Sequence, residues 1–165
     1  DTPAKILHAL DQKLRKHLKL NNEGSLSYDG LEIALLHCYP EKKEIVFSSS
    51  RIPVFECDNG QINIFKGDKH KIGFRLGKNK ENISFSNIHL KSKKNLVYYI
   101  STDGYYHQDG TENSYPFGKK KLEQLIIETH NLTMSEQRKV FEKKINDYMK
   151  NKNQRDDFTV VAFKL

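Results

Sequence analysis

The stretch "NLVYYISTDGYYHQDG", residues 95–110, sets the terms on which the rest of the chain is read. Leu96 to Ile100 are apolar or aromatic without interruption, the pattern of a strand buried on both faces. The run stops at Ser101-Thr102-Asp103-Gly104 and gives way to a polar loop. Asp-Gly is first of all a turn signal, and on this stretch alone the plain turn reading stands. The other reading is a carboxylate carried to a defined place by a buried strand. Only a second group arriving at that place can separate the two.

A candidate lies at the other end of the sequence. In "QRDDFTVVAFKL", residues 154–165, Asp156 and Asp157 stand where a last strand begins. If this strand and the one before Asp103 are antiparallel neighbours, the end of one lies beside the start of the other. Carboxylates from distant positions then meet at one sheet edge. Close like charges are costly unless a cation neutralises them, and oxygen-only ligands select hard ions such as Mg²⁺ or Mn²⁺. Spacing by itself leaves two unrelated polar turns as an open alternative.

Working outward, Thr2-Pro3 makes a helix start, with Thr2 as N-cap and Pro3 at the first helical position. Ile6, Leu7, Leu10, Leu14 and Leu18 follow on one face of a helix to about residue 20, ahead of the loop "NNEGSLSYDG". From residue 29 to 90 the period shortens. "LEIALLHCY", "KEIVFSSS", "IPVFECD", "QINIFKG" and "NISFSNIHL" read as strands, with a hairpin at Asp58-Asn59-Gly60 and a turn at Gly67-Asp68. Helical spacing returns after Gly118 with Leu122, Leu125 and Ile126. A capping box from Thr133 to Glu136 opens a second helix whose apolar face is Val140, Phe141, Ile145, Tyr148 and Met149. Helix, five or six antiparallel strands, two helices and a final strand predict an α+β fold of sheet with helices packed on it.

Composition narrows the classes. At 165 residues the chain is the size of one domain, and its 30% charged residues describe a polar globular protein. No apolar run approaches a membrane span, and the first residues lack the pattern of a secretory signal. Cys38 and Cys57 are too few and too far apart for a disulfide framework or a Cys-x-x-Cys metal site, and are expected to be buried free thiols in a reducing compartment. The histidines show no metal-ligand spacing. A net charge of +7 raises nucleic-acid binding, but the lysines are scattered and no recognition signature accompanies them. "GFRLGKNK" and "FGKKKL" lack the spacing of a phosphate loop.

The paired motifs have a family resemblance. "LVYYISTDGYYHQDG…FGKKKL" followed by "QRDDFTVVAFKL" resembles the metal-dependent protein serine/threonine phosphatases of type 2C. More narrowly, it is similar to the bacterial subgroup named for sporulation stage II protein E. That subgroup has Thr-Asp-Gly after an apolar strand, Phe-Gly opening a helix, and a terminal Arg-Asp-Asp strand. "DGLEIALLHCY", "IPVF", "KGDKHKIG" and the helix "TPAKILHALDQKL" match in order, so the resemblance covers nearly the whole chain. It implies an antiparallel β-sandwich flanked by helices, with a two-metal Mn²⁺ or Mg²⁺ centre at one end that activates water for attack on phosphoserine or phosphothreonine. Asp103 and Asp156 match metal ligands. Gly104 and Asp157 match supporting positions, Gly104 keeping the chain close beside the ion. Arg51 matches a basic position that could meet substrate phosphate, against its plain reading as a surface arginine before proline. His107 and Gln108 follow the metal loop, where they could shape an entrance or be simple loop residues.

The family's N-terminal half supplies a Gly-Asp and a further Asp that have no counterpart ahead of Thr2. The chain is therefore expected to be one phosphatase domain, residues 1–165, lacking its N-terminal strands and carrying half a catalytic centre, with little activity alone. Exposed strand edges point to a homodimer or strand exchange. The expected partner is a phosphorylated regulatory protein, an anti-sigma-factor antagonist by the subgroup's habit, met in the cytoplasm and sometimes below a membrane-attached sensor. A degenerate domain that grips its partner without turnover is the competing class, and nucleic-acid binding the third.

Overall fold

The periodicities resolve into seven strands and four α-helices among the residues that a computed structural model describes, 1–18, 30–73, 83–93, 95–111 and 115–165. The chain runs α1 (Pro3–His17), β1 (Ile33–Tyr39), β2 (Glu44–Ser50), β3 (Val54–Asp58), β4 (Gln61–Phe65) and β5 (Ile88–Lys91). It continues with β6 (Val97–Ser101), α2 (Asp103–His107), α3 (Lys119–Thr129), α4 (Met134–Met149) and β7 (Val160–Phe163). The strands form two sheets of order β1-β2-β5 and β4-β3-β6-β7, and the β1/β2, β2/β5, β3/β6 and β6/β7 pairs are antiparallel. This is the α+β class of antiparallel sheets with helices that the sequence predicts. No helix among the described residues is long and apolar enough to cross a membrane. The "NNEGSLSYDG" loop up to Asp29, and most of "GFRLGKNK", lie outside the described residues.

Two compact units divide the chain. The first joins Asp1–Pro53 to Phe65–Lys93. Its core lies under α1, where Ala4 and Leu7 meet Ile72, Ile83 and Phe85, with Leu10 and Leu14 at the margin. The predicted apolar face is narrower than its spacing suggests, because Ile6 and Leu18 are exposed. In their place Asp11 is buried: its Oδ1 accepts the Gly73 N–H at 2.7 Å and its Oδ2 the Arg15 Nε–H at 2.6 Å. Thr2 takes the N-cap position but its side chain makes no cap bond. Asn87 does so from across the unit, its Oδ1 accepting the Ala4 N–H at 3.0 Å. A tertiary partner has displaced the local one.

Three further expectations change in this unit. Only the last three residues of "NISFSNIHL" are strand, since Ile83 and Phe85 pack under α1 instead of extending the ladder. Gly67-Asp68 is not a turn: Asp68 bridges to Ser50, and a Cβ on Gly67 would overlap the Ser49 hydroxyl. Cys38 is exposed, because it sits at the open end of the edge strand β1, while Cys57 in β3 is buried as expected.

The second unit joins Val54–Ile64 to Lys94–Leu165. Its hairpin turns at Asn59 and Gly60, with φ of 49° and 84°, positive at both central residues as a tight two-residue hairpin requires. The strand β6 lies between β3 and β7, and Val97, Tyr98 and Tyr99 are all buried, as an uninterrupted apolar run predicts. Tyr98 stacks on Phe163 at 5.5 Å. Tyr99 stacks on Phe141 at 6.3 Å and donates from its hydroxyl to Gln137 Oε1 at 2.8 Å. Helix α4 opens with the full Thr133–Glu136 capping box and buries Phe141 and Ile145 against this core. Leu122, Leu125 and Ile126 of α3 join them.

The segment after β6 is a short helix, not the polar loop that its composition suggests. Tyr105 and Tyr106 are adjacent and both buried. An extended chain would send neighbouring side chains to opposite faces, whereas helical neighbours can share a core. The helix puts Asp103 in its first turn.

Candidate functional site

The β6/β7 ladder creates the site. Its last rung pairs Ser101 with Val160, and the strands run on into a short polar clasp. The Thr102 N–H donates to Thr159 O at 3.0 Å, and the Thr159 N–H donates back to Thr102 Oγ1 at 3.1 Å. Thr102 Oγ1 in turn reaches Asp157 O at 3.3 Å. The start of α2 is thereby held alongside the segment that leads into β7.

Asp103 and Asp156 then line one small pocket of about 200 Å³, together with Gly104, His107 and Arg155. The meeting of the two strand ends brings both aspartates to the same opening. His107 Nδ1 stands 3.4 Å from Asp103 Oδ2, one helical turn away. Arg155 extends toward Asp109, with its Nη1 3.6 Å from Asp109 Oδ2. Asp157 does not line the pocket. Its side chain is exposed, its N–H donates to Asp156 Oδ1 at 2.7 Å, and its carbonyl oxygen faces Gly104. A Cβ built on Gly104 would overlap that oxygen and stand 3.3 Å from Asp156 Cβ. The requirement for glycine is therefore one of close approach: α2 touches the 156–157 backbone where any side chain would intervene.

Arg51 belongs to the other unit, with a φ of 68°, where its N–H donates to Asp68 O at 2.9 Å. Its Nη1 pairs with Glu32 Oε1 at 3.1 Å, an oxygen that Lys71 Nζ also meets at 3.1 Å. Gln108 has a place that its sequence position did not disclose. It is fully buried at the end of α2 and bonds the segment just ahead of Asp156. Arg155, adjacent to the aspartate pair, also lines the pocket without having been singled out from the sequence. A larger pocket of about 480 Å³ in the same unit is bounded by Tyr99, Tyr105, Gln137, Phe141, Val160 and Ala162. Burial pushes the hydroxyls of Tyr99 and Tyr105 well above the usual tyrosine range, which keeps both protonated.

The donor set of the smaller pocket fits a hard divalent ion in kind, since both carboxylates offer only oxygen. In number it supplies part of a shell: among the described residues, no group of three His, Cys, Asp or Glu is placed to hold a metal.

The arrangement of sheets and helices has counterparts among solved structures. The SiaA-PP2C domain of Pseudomonas aeruginosa matches with a TM-score of 0.86 at 23% identity, over 99% of this chain and 61% of that one. The phosphatase domain of the cell fate determinant SpoIIE from Bacillus subtilis matches at 0.60 and 13% identity, over 98% and 72%. PppA, described as a key regulatory component of T6SS in Pseudomonas aeruginosa, matches at 0.61 and 12% identity, over 96% and 66%. The chain thus has the fold of a PP2C-type phosphatase domain and spans 61% of the SiaA domain's length. It belongs to the Stage II sporulation protein E (SpoIIE) family, which it matches across residues 1–165. No curated protein sequence matches the chain.

Proposed function

We propose that this chain forms part of a Mn²⁺- or Mg²⁺-dependent phosphatase acting on phosphoserine or phosphothreonine of a regulatory partner protein, in the manner of an anti-sigma-factor antagonist. The observation that carries this reading is the pocket shared by Asp103 and Asp156, in a chain of the SpoIIE family. Asp103 and Asp156 would hold the ion. Gly104 would let their two segments close on one another, and Asp157 would orient Asp156 through its backbone N–H. A divalent ion bound there supplies charge neutralisation and a water acidic enough to act as nucleophile near neutral pH. Arg51 is the candidate for meeting substrate phosphate, which would require it to leave Glu32. SpoIIE is described as a cell fate determinant with a phosphatase domain and PppA as a key regulatory component, which favours a protein substrate in signalling.

The test is Mn²⁺-dependent hydrolysis of a phosphoserine peptide by the full-length protein. Asp103→Asn and Asp156→Asn should each reduce it to background, and Asp157→Asn should leave a measurable rate. Full activity in either of the first two variants would sink the assignment. A second reading has one observation in its favour, the two-carboxylate donor set. On that reading the chain grips a phosphorylated partner without turnover, and the aspartate variants would leave partner affinity unchanged while no variant hydrolysed anything.

A further inference from the structure

The segment from Asn151 to Asp157 is exposed at every residue, yet it must present Asp156 to Asp103 in a fixed geometry. Exposed loops without anchors populate many conformations, and a metal ligand on one pays for ordering each time the ion binds. Thr102 and Gly104 fix the segment on the β7 side of Asp156. On the other side the buried anchor is the Gln108 side chain.

Gln108 is 0% exposed. Its Nε2 donates to Asn153 O and to Asp109 O, both at 3.1 Å, and its Oε1 accepts the Arg155 N–H at 2.8 Å. Bonding the carbonyl of one residue and the N–H of the second residue beyond it is what a single residue of a parallel strand does for its neighbour. The carboxamide thus stands in for a strand where the backbone offers none. Its own backbone is fixed as well, since Gln108 O accepts the Phe117 N–H at 2.8 Å. The ion pair of Arg155 with Asp109 closes the same junction from outside.

We infer that Gln108 is a positioning residue of the candidate metal centre, a buried amide clamp that holds the Asn153–Arg155 backbone and so sets where Asp156 meets Asp103. The inference rests on the phosphatase reading, and it adds to it the group that makes an exposed loop rigid enough to carry a ligand. A satisfied buried glutamine could also be only a piece of core, and the molecule contains the matched control. Gln137 is 2% exposed, accepts from Tyr99, donates to Leu132 O, and borders the other pocket.

The experiment compares Gln108→Met with Gln137→Met in the full-length protein. Both remove a buried amide of similar size, and both should lower the melting temperature. Only Gln108→Met should weaken Mn²⁺ binding in a calorimetric titration, by about tenfold, the scale on which outer partners of metal ligands act. Only Gln108→Met should also speed amide hydrogen exchange at Arg155. Equal effects of the two variants on Mn²⁺ affinity, or unchanged affinity and unchanged Arg155 exchange in Gln108→Met, would overturn the inference. Should Gln108→Met not fold, Gln108→Asn keeps the amide but is too short to span both partners, and the same comparison is made with it. Absence of Mn²⁺ binding by the unaltered protein would overturn the phosphatase reading and with it this role. The Arg155 exchange rate would then still decide whether the clamp exists.

Discussion

Gly104 shows most directly how much of the site is decided by single atoms. Its neighbour across the clasp is the Asp157 carbonyl oxygen, and a methyl group has no room there. Gly104→Ala should separate α2 from the 156–157 backbone and destabilise the protein by about 1–3 kcal/mol, the usual cost of overpacking. Its Mn²⁺-dependent rate should fall far more than that loss of stability explains at temperatures where the variant is folded. A thermal melt beside an activity assay checks both halves. The meeting of Asp103 and Asp156 at one pocket was legible in the sequence because strand ends are visible as changes of period and because the paired motifs resemble those of a known family. Gln108 was not. A buried amide declares itself only through its partners, and these sit in a loop whose sequence, "NKNQR", has no periodicity to place it. Asn87 capping α1 from a distant segment was hidden for the same reason.

Among the elements, α4 owes its start to a local device that sequence reading finds easily. The Glu136 carboxylate accepts the Thr133 N–H at 2.9 Å and the Thr133 hydroxyl at 2.7 Å. These bonds from the Thr133 hydroxyl and backbone hold its pKa below the ordinary 4.5. A carboxylate with a depressed folded pKa contributes stability that is present above 4.5 and lost as pH falls through the lower, folded value. Thr133→Ala should therefore lower stability near neutral pH by removing the cap. That penalty should shrink in acid below the ordinary glutamate value. Urea unfolding of both proteins at two pH values measures it; an undiminished penalty in acid would mean that Glu136 takes no part. Helix α2 was the element that composition misrepresented. Its polar residues announce a loop, and only the need to bury two consecutive tyrosines makes it helical.

At the scale of the whole molecule, the sheet order leaves β7 at one end of the β4-β3-β6-β7 sheet, and Val161 is exposed on it. An exposed apolar edge is a template for another strand. Sedimentation of this 165-residue chain should show concentration-dependent association, and Val161→Lys should reduce it while the melting temperature changes little. A chain that stays monomeric at all concentrations would remove the expectation of a dimer.

The clasp between Thr102 and Asp157 joins residues 55 apart in sequence. Closing so long a loop is entropically unfavourable until the strands themselves have paired. Without the pairing of β7 with β6, Asp156 has no fixed relation to Asp103. The pocket thus depends on a long-range contact and not on local structure. A chain with β7 undocked would carry both aspartates and yet lack the pocket they share, so any ligand of that pocket would depend on the pairing of β7 with β6.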